Sequence, residues 1–119
     1  MLGRTQAELF GDNALLGRWL ASKNSLELIN DHVFVHGGLH PKLAAMELNL
    51  QQLNDQIRAR YRFGYYLKPA HGDDEYLFST RLGPSWYRGY FEDGLTQAEV
   101  EAPLKKFGAK AVVVGHTPQ

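Results

Sequence analysis

Three residues of this chain combine a reactive side chain with a setting in which it could act: His36, His116 and Arg88. His36 closes the stretch Asp31-His32-Val33-Phe34-Val35-His36-Gly37-Gly38, and His116 closes Ala111-Val112-Val113-Val114-Gly115-His116-Thr117. Each follows a β-branched run and lies beside glycine, where backbone or ligand can approach closely. Two such runs read as parallel strands that deliver imidazoles to one rim of a sheet, the place where open α/β folds bind ligands. Neutral imidazole suits zinc, iron or manganese, and two metals about 3.5–4 Å apart activate a bridging water and neutralise a phosphate. Arg88 stands in Gly83-Pro84-Ser85-Trp86-Tyr87-Arg88-Gly89-Tyr90-Phe91, and its rigid fork suits phosphate or carboxylate bidentately. A packed or hydrogen-bonded role stays open for each histidine, as does stacking of Arg88 on Trp86 or Tyr90. Two histidines by themselves cannot hold two metals, and no carboxylate occupies a comparable strand end.

The elements that must position these residues follow from periodicity and turn chemistry. Asp12 or Asn13 is placed to cap a short helix with Leu15, Leu16, Trp19 and Leu20 on one side. Leu26 and Leu28 and the run Val33 to Val35 form two strands joined by the turn formers Asn30-Asp31. Pro41 suits the first turn of a long helix whose stripe is Leu43, Met46, Leu50, Leu53, Ile57 and Tyr61. Arg58, Arg60 and Arg62 read as its solvated end, and His40 as a surface residue at its start. From Phe63 to Arg81 the pattern breaks into a loop, with a short helical turn in Tyr76 to Ser79. His71 with Asp73, Asp74 and Glu75 reads as a flexible acidic loop before it reads as a metal site. Thr96 and Glu99 form a capping box, Val100, Leu104 and Phe107 a helical face, and Gly108 a stop. Pro103 should kink that helix or split it in two.

Composition narrows the classes of partner. The 119 residues bound one domain, with 44% hydrophobic and 22% charged residues as in ordinary globular chains. Lys plus Arg and Asp plus Glu are both 13, so zero net charge argues against a nucleic-acid or anionic-membrane partner. Without cysteine, a metal would be held by nitrogen and oxygen ligands. No run approaches the roughly 18 apolar residues of a membrane span. Localisation is unassigned, cytoplasmic by default, because a targeting signal can be judged only if Met1 is a true start.

Val35-His36-Gly37-Gly38-Leu39, Trp86-Tyr87-Arg88-Gly89-Tyr90 and Val114-Gly115-His116-Thr117-Pro118 resemble, in order and interval, the later motifs of the calcineurin-like metallophosphoesterases. The likeness is nearest to the Shewanella-like bacterial branch of the phosphoprotein phosphatases, and it extends to Leu16-Gly17-Arg18-Trp19-Leu20 and Phe107-Gly108-Ala109-Lys110. The resemblance implies an α/β fold, a four-layer α/β/β/α sandwich, and hydrolysis of a phosphomonoester or phosphoprotein by a hydroxide activated at two divalent metal ions (manganese, iron or zinc). It implies that His36 and His116 are ligands of the second metal and that Arg88 binds the substrate phosphate. The early motifs of the family, an Asp-x-His pair, an Asp-rich turn and an Asn-His-Glu run, have no counterpart here. Residues 1–119 are therefore expected to be a single partial domain, lacking the N-terminal βαβ units and the last strands. Such a domain would hold at most part of the second-metal site and be inactive alone. The alternative is a non-catalytic remnant or interaction module that self-associates through exposed sheet edges.

Overall fold

The computed structural model describes residues 8, 9, 11, 13–62 and 71–115. Helix α1, Leu15–Ala21, leads into a three-stranded sheet made of β1, Leu26–Ile29, β2, His32–Val35, and β3, Ala111–Val114. Between β2 and β3 lie a 3-10 helix, Pro41–Ala45, then α2, Leu50–Arg62, α3, Glu75–Phe78, α4, Gly89–Glu92, and α5, Gln97–Phe107. The sheet order is β1-β2-β3. β1 and β2 form the expected hairpin, antiparallel with Leu26 opposite Val35 and Ile29 opposite His32. Its two turn residues, Asn30 and Asp31, take the positive φ values of 49° and 66° that asparagine and aspartate tolerate best. β3 runs parallel to β2, with His32 opposite Ala111 and Val35 opposite Val114.

One sheet face is buried. Leu26, Val33 and Val35 pack with Leu39, Leu43, Leu53, Ile57, Leu77, Leu104 and Phe107 in a single core. Each such aliphatic side chain, fully buried, contributes about 1.5–3 kcal/mol of transfer free energy. The other face is open: Ile29, Phe34 and Val113 are 53%, 42% and 41% exposed. α1 shows its apolar side to solvent as well, with Leu15 and Trp19 exposed. Among the described residues no helix is long and apolar enough to cross a membrane.

The long helix expected from Pro41 is divided. Its first turn is the 3-10 segment, capped by His40, and the α-helix begins only at Leu50. Asn49 supplies the start: its Oδ1 accepts from the Gln52 amide at 2.8 Å while Gln52 Oε1 accepts from the Asn49 amide at 2.9 Å. This reciprocal cap satisfies two donors that a continuous helix would have bonded internally. At α1, the residue before the helix is Ala14, with no side-chain cap, so Asn13 is not the capping residue; Asp12, the other residue expected to cap it, lies outside the described residues. Pro103, by contrast, lies within an uninterrupted α5. It is fully buried, and packing of its ring offsets the lost backbone bond. Both ends of α5 are as expected, with the Thr96/Glu99 box and Gly108 in the left-handed region at φ 71°. Arg58 pairs with Asp55 and Asn24, and Arg60 lies 4.7 Å from the centre of the Phe78 ring, so these arginines serve the helix end.

Asn54 joins α2 to the sheet and is only 3% exposed. Its Oδ1 accepts from the amides of Ser25 at 2.8 Å and Leu26 at 3.0 Å, and its Nδ2 donates to the Leu26 carbonyl at 2.8 Å. An apolar replacement of similar size strands three backbone groups at the start of β1. Asn54→Leu is therefore expected to lower unfolding free energy by about 1–3 kcal/mol, read from urea midpoints at unchanged slope.

Candidate functional site

The strand ends meet where the paired runs of the sequence require. Beyond the last paired residues, the Gly115 amide donates to the His36 carbonyl at 3.1 Å, which carries the parallel ladder one step past β2 and β3. His36 is exposed at this rim and shares a shallow hollow with Asn24, Glu27, Phe34, Val113 and Gly115, on the open side of the sheet. His116, the second expected metal ligand, lies outside the described residues. His32 stands at the other end of β2, its Nδ1 2.7 Å from the Asn30 carbonyl oxygen.

Directly after His36 the chain is clamped. The amides of Gly37 and Gly38 both donate to the Pro84 carbonyl, at 2.8 and 3.0 Å. A Cβ at Gly37 would sit 2.7 Å from Pro84 O, Trp86 N and Tyr87 N, all backbone atoms that cannot rotate away. Glycine is required here by proximity. On the far side of the clamp, the Trp86 and Tyr87 amides both donate to the Gly83 carbonyl at 2.9 Å, forming a tight turn that ends at Arg88. The Arg88 guanidinium donates to the Tyr87 carbonyl at 3.2 Å and lines a hollow with Arg81, Trp86, Glu92 and Asp93. Trp86, 46% exposed, lines the same hollow.

Behind the turn lies an aromatic cluster that the sequence reading missed. His40 lies tilted against Tyr76 at 4.6 Å and edge-on to Tyr87 at 5.0 Å between ring centroids, and Tyr87 meets Tyr90 edge-on at 5.9 Å. Tyr90 Oη accepts from the Leu39 amide at 3.0 Å, tying α4 to the chain just beyond Gly38. His40 is thus a half-buried capping residue, contrary to the surface role expected for it; its Nδ1 accepts from the Lys42 amide at 3.1 Å. Burial lowers its pKa from the ordinary value, with Lys42 adding to the effect and Asp93 opposing it. Burial, reinforced by Asp93, pushes the Tyr87 hydroxyl up to about 12. That hydroxyl is buried with no hydrogen-bond partner among the described residues. It lies 2.0 Å from where a Cβ at Gly89 would be, which excludes any side chain at that position.

The rim therefore brings the His36 strand end and the Arg88 turn together through backbone, while their side chains line separate hollows. Among the described residues no three histidine, aspartate or glutamate side chains gather into a group that could hold a metal ion. His71, Asp73 and Asp74 are exposed and form no such group. His36 is a single donor, so the described residues do not by themselves fit a metal centre.

The backbone as a whole is similar to solved phosphatases. It matches the crystal structure of a cold-active protein-tyrosine phosphatase of a psychrophilic Shewanella at 38% identity and a TM-score of 0.79, over 94% of this chain and 34% of that one. Another structure of a cold-active protein tyrosine phosphatase matches at 33% identity and a TM-score of 0.71, over 94% of this chain and 33% of the other. A point mutant of such a phosphatase matches at 34% identity, with a TM-score of 0.71 and shares of 94% and 34%. The chain spans about a third of the length of these solved phosphatases. No family model matches it, and no curated protein does.

Two outcomes test the site's construction. Because the fold favours neutral His40, protons bind the unfolded chain more readily. Its contribution to stability is complete above about 6.5 and is lost as pH falls through the lower folded-state value. Urea midpoints should accordingly fall more steeply below pH 6.5 in the native chain than in His40→Gln. The orphaned hydroxyl makes Tyr87→Phe neutral or stabilising, by up to about 1–2 kcal/mol in the same measurement.

Proposed function

We propose that this chain is part of a metal-dependent phosphomonoester hydrolase in which Arg88 binds the phosphate of the substrate. In this reading His36 and His116 belong to the ligands of the second ion of a dinuclear centre. The observation that carries the reading is the likeness, over nearly the whole chain, to solved protein-tyrosine phosphatases. The local geometry agrees with it. A guanidinium fork held at the edge of a hollow neutralises non-bridging phosphate oxygens, and the Pro84 clamp fixes its turn against the strand end that carries His36. His36 and His116 would offer imidazole to such a centre, which would supply Lewis-acid activation of water; manganese, iron and zinc all accept imidazole and carboxylate ligands. The substrate is a phosphorylated protein or small molecule. The open sheet face of Ile29, Phe34 and Val113 is suited to packing against a second sheet, as a four-layer α/β/β/α sandwich requires.

A second reading, a non-catalytic interaction module, draws on the same exposed face and on β1 and β3 being the edge strands of the described sheet. Sedimentation separates the two: a mass that rises with concentration over the micromolar range favours the interaction module.

The proposed function predicts that the 119-residue chain binds inorganic phosphate, and that Arg88→Ala weakens this binding about tenfold or more. Calorimetric titration reads the loss, and equal affinity in the variant would remove Arg88 from the site. Manganese-dependent hydrolysis of 4-nitrophenyl phosphate by this chain alone is expected to be absent, because the described residues gather too few ligands. Turnover that needs manganese and survives His36→Ala would contradict the role given to His36.

A further inference from the structure

The hollow beside Arg88 carries a charge pattern that a bare phosphate does not match. Two arginines, Arg81 and Arg88, and two carboxylates, Glu92 and Asp93, line it together. Among the described residues none of the four forms an ion pair with another. Glu92 follows Arg88 by four positions, a spacing at which helical arginine and glutamate commonly pair, yet Arg88 precedes α4 as its cap residue and donates to the Tyr87 carbonyl instead. The two arginines come from separate turns that meet at Gly83. Its amide donates to the Ser79 carbonyl at 3.0 Å, and its own carbonyl accepts from the Trp86 and Tyr87 amides at 2.9 Å. A Cβ at Gly83 would lie 2.8 Å from the Leu77 and Ser79 carbonyl oxygens, so the junction is close-packed. The turns that carry the arginines are thus fixed, and the charges around the hollow are not spent on one another.

A phosphate monoester brings close to two negative charges at neutral pH. The arginines attract it and the carboxylates repel it, so an anion by itself gains little from this wall. A ligand with an ammonium group close to its phosphate can meet each of the four charges with the opposite sign. The hollow's volume is about 220 Å³. A cavity of about 150 Å³ holds a benzene ring, so a phosphate with a short amine arm fits here and a bulky group does not. We infer that the hollow is a subsite for a zwitterionic phosphomonoester, an aminoalkyl phosphate whose phosphate is taken by Arg88 and Arg81 and whose ammonium is taken by Glu92 and Asp93. The inference rests on the phosphate role of Arg88 and deepens it by naming the substrate class. Glu92 and Asp93 are specificity residues; they take no part in bond breaking. Both are exposed, so water screens their attraction, and the preference they confer is modest and sensitive to salt.

The test is a nitrogen-15 NMR titration of the intact 119-residue chain, at about pH 8, with 2-aminoethyl phosphate, n-propyl phosphate and inorganic phosphate. The propyl ester has the shape of the aminoethyl ester without its ammonium charge. In low salt the aminoethyl ester should bind about three- to fivefold more tightly than the propyl ester. The difference should fade as ionic strength approaches about 1 M. In Glu92→Gln/Asp93→Asn it should vanish, while inorganic phosphate binds more tightly than it does to the native chain. Both side chains are exposed, so the double variant keeps the fold. Equal binding of the two esters, or a preference that survives the double variant, would overturn the zwitterion subsite while leaving the phosphate role of Arg88 intact. Failure of all three ligands to bind, or binding indifferent to Arg88→Ala, would overturn the phosphate reading and the subsite with it.

Discussion

Two amides that share one carbonyl oxygen hold this site in place. Gly37 and Gly38 both donate to Pro84, and through that contact the end of β2 and the turn before Arg88 become one rigid rim. The arrangement depends on the absence of a side chain at Gly37, because three backbone atoms already occupy the position of its Cβ at 2.7 Å. Buried backbone donors must be paired, so the rim's geometry is fixed by hydrogen bonding as much as by packing. His36 on one side and Trp86, Tyr87 and Arg88 on the other inherit their positions from it.

The rest of the molecule supports the rim from behind. Tyr90 reaches back to the Leu39 amide, His40 caps the 3-10 helix and packs on Tyr76 and Tyr87, and Asn54 pins α2 to the first residue of β1. All of this lies on one side of the sheet. The other side presents Ile29, Phe34 and Val113 to solvent, in line with His36. The sheet is thus unequal in its two faces, and the hollow that holds His36 lies on the exposed one.

Local signals made much of this legible in the sequence. Asn30-Asp31 named the hairpin turn, the two β-branched runs named the parallel pair, and Thr96, Glu99 and Gly108 named both ends of α5. What escaped was set by distant partners. Nothing near Asn54 in sequence reveals that its amide will meet β1, and nothing near His40 reveals Tyr87, 47 positions later. The break between Ala45 and Leu50 had a readable signal, Asn49 with Gln52, which the longer apolar stripe obscured. Pro103 misled because a helix-breaking tendency of a few kcal/mol yields to burial. For the site itself, Arg88 and His36 were legible as residue types beside glycine, but their connection through Pro84 was not, since the partner of a strand-end amide is chosen by the tertiary fold.

The proposed function turns on the rim that the Pro84 clamp makes of the His36 strand end and the Arg88 turn. Paramagnetic broadening of the amide spectrum by substoichiometric manganese tests it most directly. Broadening should centre on His36 and Gly115, extend across the clamp to Trp86, Tyr87 and Arg88, and disappear in His36→Ala. Broadening centred instead on His71, Asp73 and Asp74, or indifferent to the loss of His36, would contradict it.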